Sequence, residues 1–458
     1  MQDSIVKNCD SSVNMFKLSQ AALLTCVLLL SLSPSEATLI PAVSVSYADV
    51  SKAVRSARPG DVVQLPPGAG TWTSPLWVSN SVTLLGSGID STVITDEVPR
   101  NGQPPQVFIL SAQANQSVRL SGLTIKGGTT NTSINYDGEV LVIGSTTSFR
   151  VDHVKFDGNR ASGIEVNGPI GVIDHCLFNS YGVQGVIVFH SGWNGRSFGD
   201  GSWADVDGLG TGNAVCIEDN TFLANNYAGA LDSCKGGRLI FRYNVITNTF
   251  VGNHGTESTQ RYRSVRAYEI YGNTFYWDPN ASNAPWPFPV YLRGGTGVIF
   301  SNVFLGAFNG TGITVANYRN TKNPEGYPWP PWGPAANASP GVDGPNPWDQ
   351  NADQTGYGCI DQVGRGAGDL LSGDNPINST VGKVAWPNQA LSPVYQWSNT
   401  INGAAASIRS QTPNIQPNRD WYDFTVKPGY KPFTYPHPLI TGVVKPPAPS
   451  GFRIVPGQ

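Results

Sequence analysis

Charge is scarce in this chain. Asp, Glu, Lys and Arg together make up 13% of its 458 residues, and the net charge is −3. Such a protein is no polycation, so nucleic acid is not an expected partner, and any hold on a polyanion must come from a local cluster. Cysteine is sparse as well. None of the six cysteines stands in the Cys-x-x-Cys spacing that suggests a zinc site. Beyond the first forty residues no apolar run is long enough to span a bilayer. Abundance lies elsewhere, in 52 glycines and 35 prolines, nearly a fifth of the chain. That composition suits an all-β architecture with many turns better than a helical one. Twelve tryptophans suit a carbohydrate binder, because aromatic rings stack on sugar faces.

The N-terminus reads as a targeting segment. Met15-Phe16-Lys17 opens a small basic region, and Ala21 to Leu32 is an apolar run too short to span a membrane. Ser35-Glu36-Ala37 offers the small residues a signal peptidase reads. Residues 1–37 are therefore expected to be a signal peptide, with a secreted chain that has no membrane association after cleavage. Four cysteines then remain, Cys176, Cys216, Cys234 and Cys359. Export permits disulfides, but sequence does not choose among the three pairings.

After the signal, Asp49 to Ala57 places Val50, Ala53, Val54 and Ala57 on one face, as a short capping helix does. A repeat follows. Leu120-Ser-Gly-Leu-Thr-Ile125, Val151-Asp-His-Val-Lys-Phe156 and Ile173-Asp-His-Cys-Leu-Phe178 align with one another. So do Ile217-Glu-Asp-Asn-Thr-Phe222, Phe241-Arg-Tyr-Asn-Val-Ile246, Ile270-Tyr-Gly-Asn-Thr-Phe275 and Ile299-Phe-Ser-Asn-Val-Phe304. The fourth positions, Leu123, Val154, Cys176, Asn220, Asn244, Asn273 and Asn302, are spaced 31, 22, 44, 24, 29 and 29 residues apart. A period above about twenty residues with irregular insertions signals a solenoid. An inward Asn at each bend can bond unpaired backbone groups and its stacked neighbours together. The expected fold is a right-handed parallel β-helix over 38–319. Residues 321–350 hold eight prolines, so 320–458 is expected to be irregular, Pro- and aromatic-rich chain packed along the coil.

Alternation then gives an outward column: Asp152, Asp174, Glu218, Arg242, Tyr271, Phe300. Three carboxylates one strand spacing apart repel unless a cation intervenes. Calcium accepts several carboxylate oxygens, which makes Asp152, Asp174 and Glu218 candidate metal ligands. Cationic side chains or solvent could satisfy the column equally. The insertion between Cys176 and Asn220 carries Trp193 and Trp203 and could wall a cleft. A second constellation is cationic: Lys235, Arg238, Arg242, Arg261, Arg263 and Arg266, opposed only by Asp232 and Glu257. Acidic ladder and arginine cluster together suit a uronate polymer, since metal and guanidinium both hold carboxylates.

Arg261-Tyr-Arg-Ser-Val-Arg266, followed by Glu269-Ile-Tyr-Gly-Asn-Thr-Phe-Tyr-Trp277, resembles the pectate lyases, polysaccharide lyases on a parallel β-helix. Ile173-Asp-His-Cys-Leu-Phe178 resembles the segment where that family places a calcium-ligating aspartate. The likeness runs over roughly 140 to 305, with Arg263 where the family has proline. It implies β-elimination at a uronate, with Arg261 as base and Arg266 holding substrate. His254 and Lys235 are easier bases than a guanidinium. Arg242, Arg263, Arg293, Trp193 and Trp203 are the candidates for substrate contact. Two other functions fit the same scaffold. One is a hydrolase or epimerase, for which Asp174 with Glu218 or Asp219 could supply carboxylates. The other is a non-catalytic protein that binds an acidic polysaccharide at the cell surface.

Overall fold

The computed structural model describes residues 37–100, 105–130, 135–179, 181–224, 229–255, 263–281, 288–308, 310–316, 361–371, 388–411 and 415–441. Arg261, Cys359, residues 1–36 of the expected signal peptide and the proline-rich stretch 321–350 lie outside them. The architecture is all-β, with two long sheets of 21 and 10 strands among the described residues. Nearly every strand pairs in parallel with the one a turn later. Thus Gly171–Asp174 lies beside Phe149–Asp157 on one side and Val215–Glu218 on the other, and Arg238–Arg242, Ala267–Tyr271 and Thr296–Phe300 follow in order. This stacking is compatible with a β-helix.

The aligned hexads are in register. Asp152 pairs with Asp174, Asp174 with Glu218, Glu218 with Arg242, Arg242 with Tyr271 and Tyr271 with Phe300. Val151, Ile173, Ile217, Phe241, Ile270 and Ile299 point the other way and form the core. Stacked rings reinforce the register, with Phe178 centred 4.9 Å from Phe156 and 4.5 Å from Phe222. The helix Tyr47–Ser56 is capped by the Ser46 hydroxyl, which accepts from the Asp49 amide, and buries Val50, Ala53 and Val54 over the first turn.

The asparagine ladder is continuous. Each Asn Oδ1 accepts the backbone N–H of the ladder residue one turn earlier: Asn220 from Cys176, Asn244 from Asn220, Asn273 from Asn244 and Asn302 from Asn273. Each Nδ2 donates back to a core-strand carbonyl, as Asn273 does to Phe241 at 2.9 Å.

One expectation is corrected. Strands continue past 319, because Val394–Trp397 pairs in parallel with Thr296–Phe300 and Ser407–Ser410 with Gly312–Val315. Asn399 becomes the next ladder residue and accepts from the Asn302 amide at 2.9 Å. The physical reason is edge protection, since an uncovered last turn would present a row of unpaired backbone groups. This hexad hides in the sequence because Gln396 stands where the others are apolar. The glutamine is buried and finds its own partners in Ala406 O, Asp423 and Asn399.

Asn273→Ala strands the Asn244 amide without an acceptor. The expected loss is at least about 1–3 kcal/mol, the cost of a buried polar group left unpaired. A lowered urea midpoint measures it, and an unchanged midpoint would show that the ladder carries no stability.

Candidate functional site

The structure resolves the outward charges into two sets with different fates. In the first, the acidic column is an ion-pair ladder. Arg119 holds both oxygens of Asp152 at 2.6 and 2.7 Å, and Arg150 holds both of Asp174 at 2.8 and 2.7 Å. Arg242 holds Glu218 through Nε at 2.7 Å, and the His437 amide takes the other oxygen at 2.7 Å. Burial opposes the ionisation of Asp152, but Arg119, His153 and Arg150 outweigh it and hold the carboxyl below its usual range. His153 and His175 stack on each other and bond Asp152 and Asp174. With their oxygens taken by guanidinium groups and, at Glu218, by a backbone amide as well, Asp152, Asp174 and Glu218 do not fit a calcium site. No group of three His, Cys, Asp or Glu able to hold a metal occurs among the described residues.

The C-terminal tail then covers that column. Arg242 donates to Phe433 O and Thr434 O, Arg150 reaches Leu439 O, and the Tyr435 hydroxyl bonds Asp219. Arg242, expected at a substrate surface, is fully buried at this junction. The same cover removes Asp174 and Glu218 as a hydrolytic pair.

The arginine-rich segment is corrected too. Arg263 is buried with both nitrogens of its fork on Asp361, at 2.7 and 2.6 Å. Arg266 is buried over the Trp203 ring and bonds Asp205 O at 3.0 Å. Arg238 bonds Ser202 O and Val206 O at 2.6 Å each. Burial pushes the Arg238 and Arg266 guanidinium groups down to about 10. Trp203, expected to wall a cleft, is itself fully buried and donates to Ser264 O. These side chains fasten the insertion and the tail to the stack, and they do not face solvent.

The second set lies on the ten-stranded sheet. Its inward column, Val140, Ile164, Val186, Leu231, Val251 and Val290, is buried and aliphatic. The outward neighbours run Leu141, Glu165, Ile187, Asp232. Glu165 and Asp232 stand two strands apart, about 9–10 Å by the ordinary strand spacing. His254, in the turn after Val251–Gly252, bonds Asp232 Oδ1 through Nδ1 at 2.7 Å. Arg293 packs on the same turn, with Nε donating to Asn253 O at 3.0 Å. Lys235 follows Asp232 by three residues and sits 4.1 Å from the centre of the Phe189 ring.

Electrostatics divide the two carboxyls. Burial would raise Asp232, but His254, Arg293 and the Ser233 amide hold it below its usual range. Burial and the neighbouring Asp137 push Glu165 up to about 7, although Lys235 opposes them. Two carboxyl groups driven apart in this way are a recurrent mark of acid–base chemistry.

Sequence reasoning singled out His254, Lys235 and Arg293, and the structure brings them onto one face. It passed over Glu165 and treated Asp232 only as a counter-charge. The available signal was alternation, since Glu165 sits at an outward position between the buried aliphatics Ile164 and Val166, and Asp232 between buried Leu231 and Ser233. Trp193 lies apart from Trp203, half-buried at the rim of a cleft beside this face. Comparisons of the chain with protein-family models, with curated proteins and with solved structures find no match in any of the three.

Two outcomes follow. Chelation of divalent ions is expected to leave the melting temperature unchanged, and a fall of several degrees would restore a metal to the acidic column. Glu165 keeps its proton to about pH 7 when folded but only to about 4.5, the ordinary value of a glutamate, when unfolded. Across that interval the unfolded chain holds fewer protons, so this group lowers stability as pH rises. The melting temperature of Glu165→Gln relative to wild type should therefore climb from about pH 5 to about pH 8. A constant difference would mean that Glu165 titrates normally.

Proposed function

We propose that the chain is a secreted, right-handed parallel β-helix protein that acts as a lyase on a uronate-containing polysaccharide, at the outward face of the ten-stranded sheet. Parallel connections within one sheet are right-handed in nearly all proteins, which supports the handedness. The observation that carries the activity is the Asp232–His254 pair at 2.7 Å, flanked by Lys235, Arg293 and the proton-bearing Glu165.

The chemistry runs as follows. Lys235 and Arg293 neutralise the uronate carboxylate, which acidifies the proton on C5. Asp232 holds the imidazole by Nδ1, so Nε2 of His254 takes that proton. The electron pair left on C5 forms the C4=C5 double bond and the C4–O4 bond breaks. The departing oxygen takes up a proton from water. Arg261, the base implied by the pectate-lyase resemblance, lies outside the described residues, and this route does not need it. The acidic polysaccharide is the partner, and no step passes through calcium.

A second reading rests on the same pair of carboxyls. Two groups about 9–10 Å apart, one protonated and one ionised, also suit an inverting glycoside hydrolase. Incubating the mature chain with a panel of uronate polymers separates the two. New ultraviolet absorbance from an unsaturated uronate indicates the lyase, whereas new reducing ends without it indicate the hydrolase. For the lyase, His254→Ala is expected to lower kcat about 10²–10⁴-fold with KM nearly unchanged. Wild-type turnover in that variant would remove His254 as the base.

A further inference from the structure

At the corner where the ten-stranded sheet passes the chain to the larger sheet, a cleft of about 400 Å³ opens to solvent. Its size falls within the range of small-molecule sites. One side is made by the turns after the strands Asn135–Gly144 and Ala161–Asn167, and the other by the insertion 190–213. Asn167 lines it, two residues beyond Glu165 on the same strand. Residues i and i+2 project from one face, so the cleft continues the surface that carries Glu165 and Lys235.

Trp193 lines the cleft and is held in place by its own neighbours. Its Nε1 donates to Asp205 Oδ2 at 3.2 Å. The Arg238 guanidinium lies 5.0 Å from the ring centre, and the His190 ring meets it edge-on at 4.9 Å. Asn194 Nδ2 shares Asp205 Oδ2 at 3.4 Å, and Asn167 Oδ1 accepts from the Ser191 amide at 3.3 Å. A fixed indole beside Asn167, Asn194 and Asn213 matches the two demands of a sugar ring. Its C–H face stacks on an aromatic, and its hydroxyls both donate and accept.

The charge of the cleft selects among sugars. Asp205 is the one ionisable residue among the described residues that line it. Burial would raise this carboxyl, but Trp193, the Val206 amide and Arg238 hold it below its usual range. It is therefore an anion at neutral pH and repels a second carboxylate. Among the described residues, no lysine or arginine lines the cleft to receive one. The cations stand instead at the catalytic face, as Lys235 and Arg293.

We infer that the cleft is a subsite for an uncharged glycosyl unit, so that the polymer carries neutral sugars beside its uronates. The inference rests on the uronate reading of the Asp232–His254 face. Three size-matched oligosaccharides test it by calorimetric titration of the mature full-length chain: an all-uronate chain, an alternating uronate–neutral chain and an all-neutral chain. The alternating chain should bind about tenfold more tightly than the all-uronate chain. Trp193→Ala should abolish that preference by weakening binding of the alternating chain, and Asp205→Asn should narrow it by strengthening all-uronate binding. Thermal melts of both variants verify folding, and Trp193→Phe should retain the preference if either unfolds. Equal or tighter binding of the all-uronate chain by wild type overturns the inference, as does binding of none of the three. A chain that prefers the alternating oligosaccharide but forms no unsaturated product sinks the lyase reading alone. Elimination without that preference sinks the subsite alone.

Discussion

The in-register stacking of successive turns is the constraint from which the rest of this molecule follows. A slip of one residue in any strand would exchange its buried and outward faces. Core aliphatics would then meet solvent and charged groups would enter the core. The asparagines oppose such a slip with directional bonds. Asn244 meets Asn273 by both its backbone amide and its side-chain amide, at 2.9 and 3.0 Å, and the same geometry recurs from Asn220 to Asn399. Hydrophobic burial supplies the cohesion of the coil and opposes a one-residue slip, but a slip of two residues keeps the same faces in and out. The ladder and the stacked rings make one alignment better than its neighbours.

Register also turns alternation into chemistry, and the two outward faces show how differently that can end. On the larger sheet the column of carboxylates meets a column of arginines, and the tail seals it. Buried pairs of this kind add little net stability over apolar neighbours, but removing one partner costs several kcal/mol. Their evident use is to anchor: Arg242 joins Glu218, Tyr271 and two carbonyls of the tail at one point. On the ten-stranded sheet the charges are fewer and of mixed sign, and they remain at a face beside a cleft. There His254 and Arg293 hold the Asp232 carboxyl below its usual range, while burial and Asp137 push that of Glu165 up.

The insertion 190–213 shows the same division within one segment. Trp203 is driven inward between Arg263 and Arg266, whose guanidinium groups sit 4.8 and 5.0 Å from its ring. Trp193, ten residues earlier, is held at the rim by Asp205 and Arg238. Composition marks both tryptophans alike. Their roles differ because one is enclosed by chain brought from residues 263–266 and the other borders open space.

The amino-acid sequence by itself determined the all-β class, the turn-by-turn alignment of the hexads, the asparagine ladder from Asn220 to Asn302 and the membership of the outward column. All of these are local and periodic, so spacing and alternation carry them. Only the tertiary structure decided which partner each outward charge receives. Arg263 finds its carboxylate 98 residues away in Asp361, and Glu218 is bonded by a backbone amide 219 residues away in His437. It also decided that the return strand at Asn399 completes the ladder, across a gap of 97 residues. Contacts across such separations leave no period in the chain. They depend on how far an irregular segment travels before it packs, and neighbouring residues do not encode that distance.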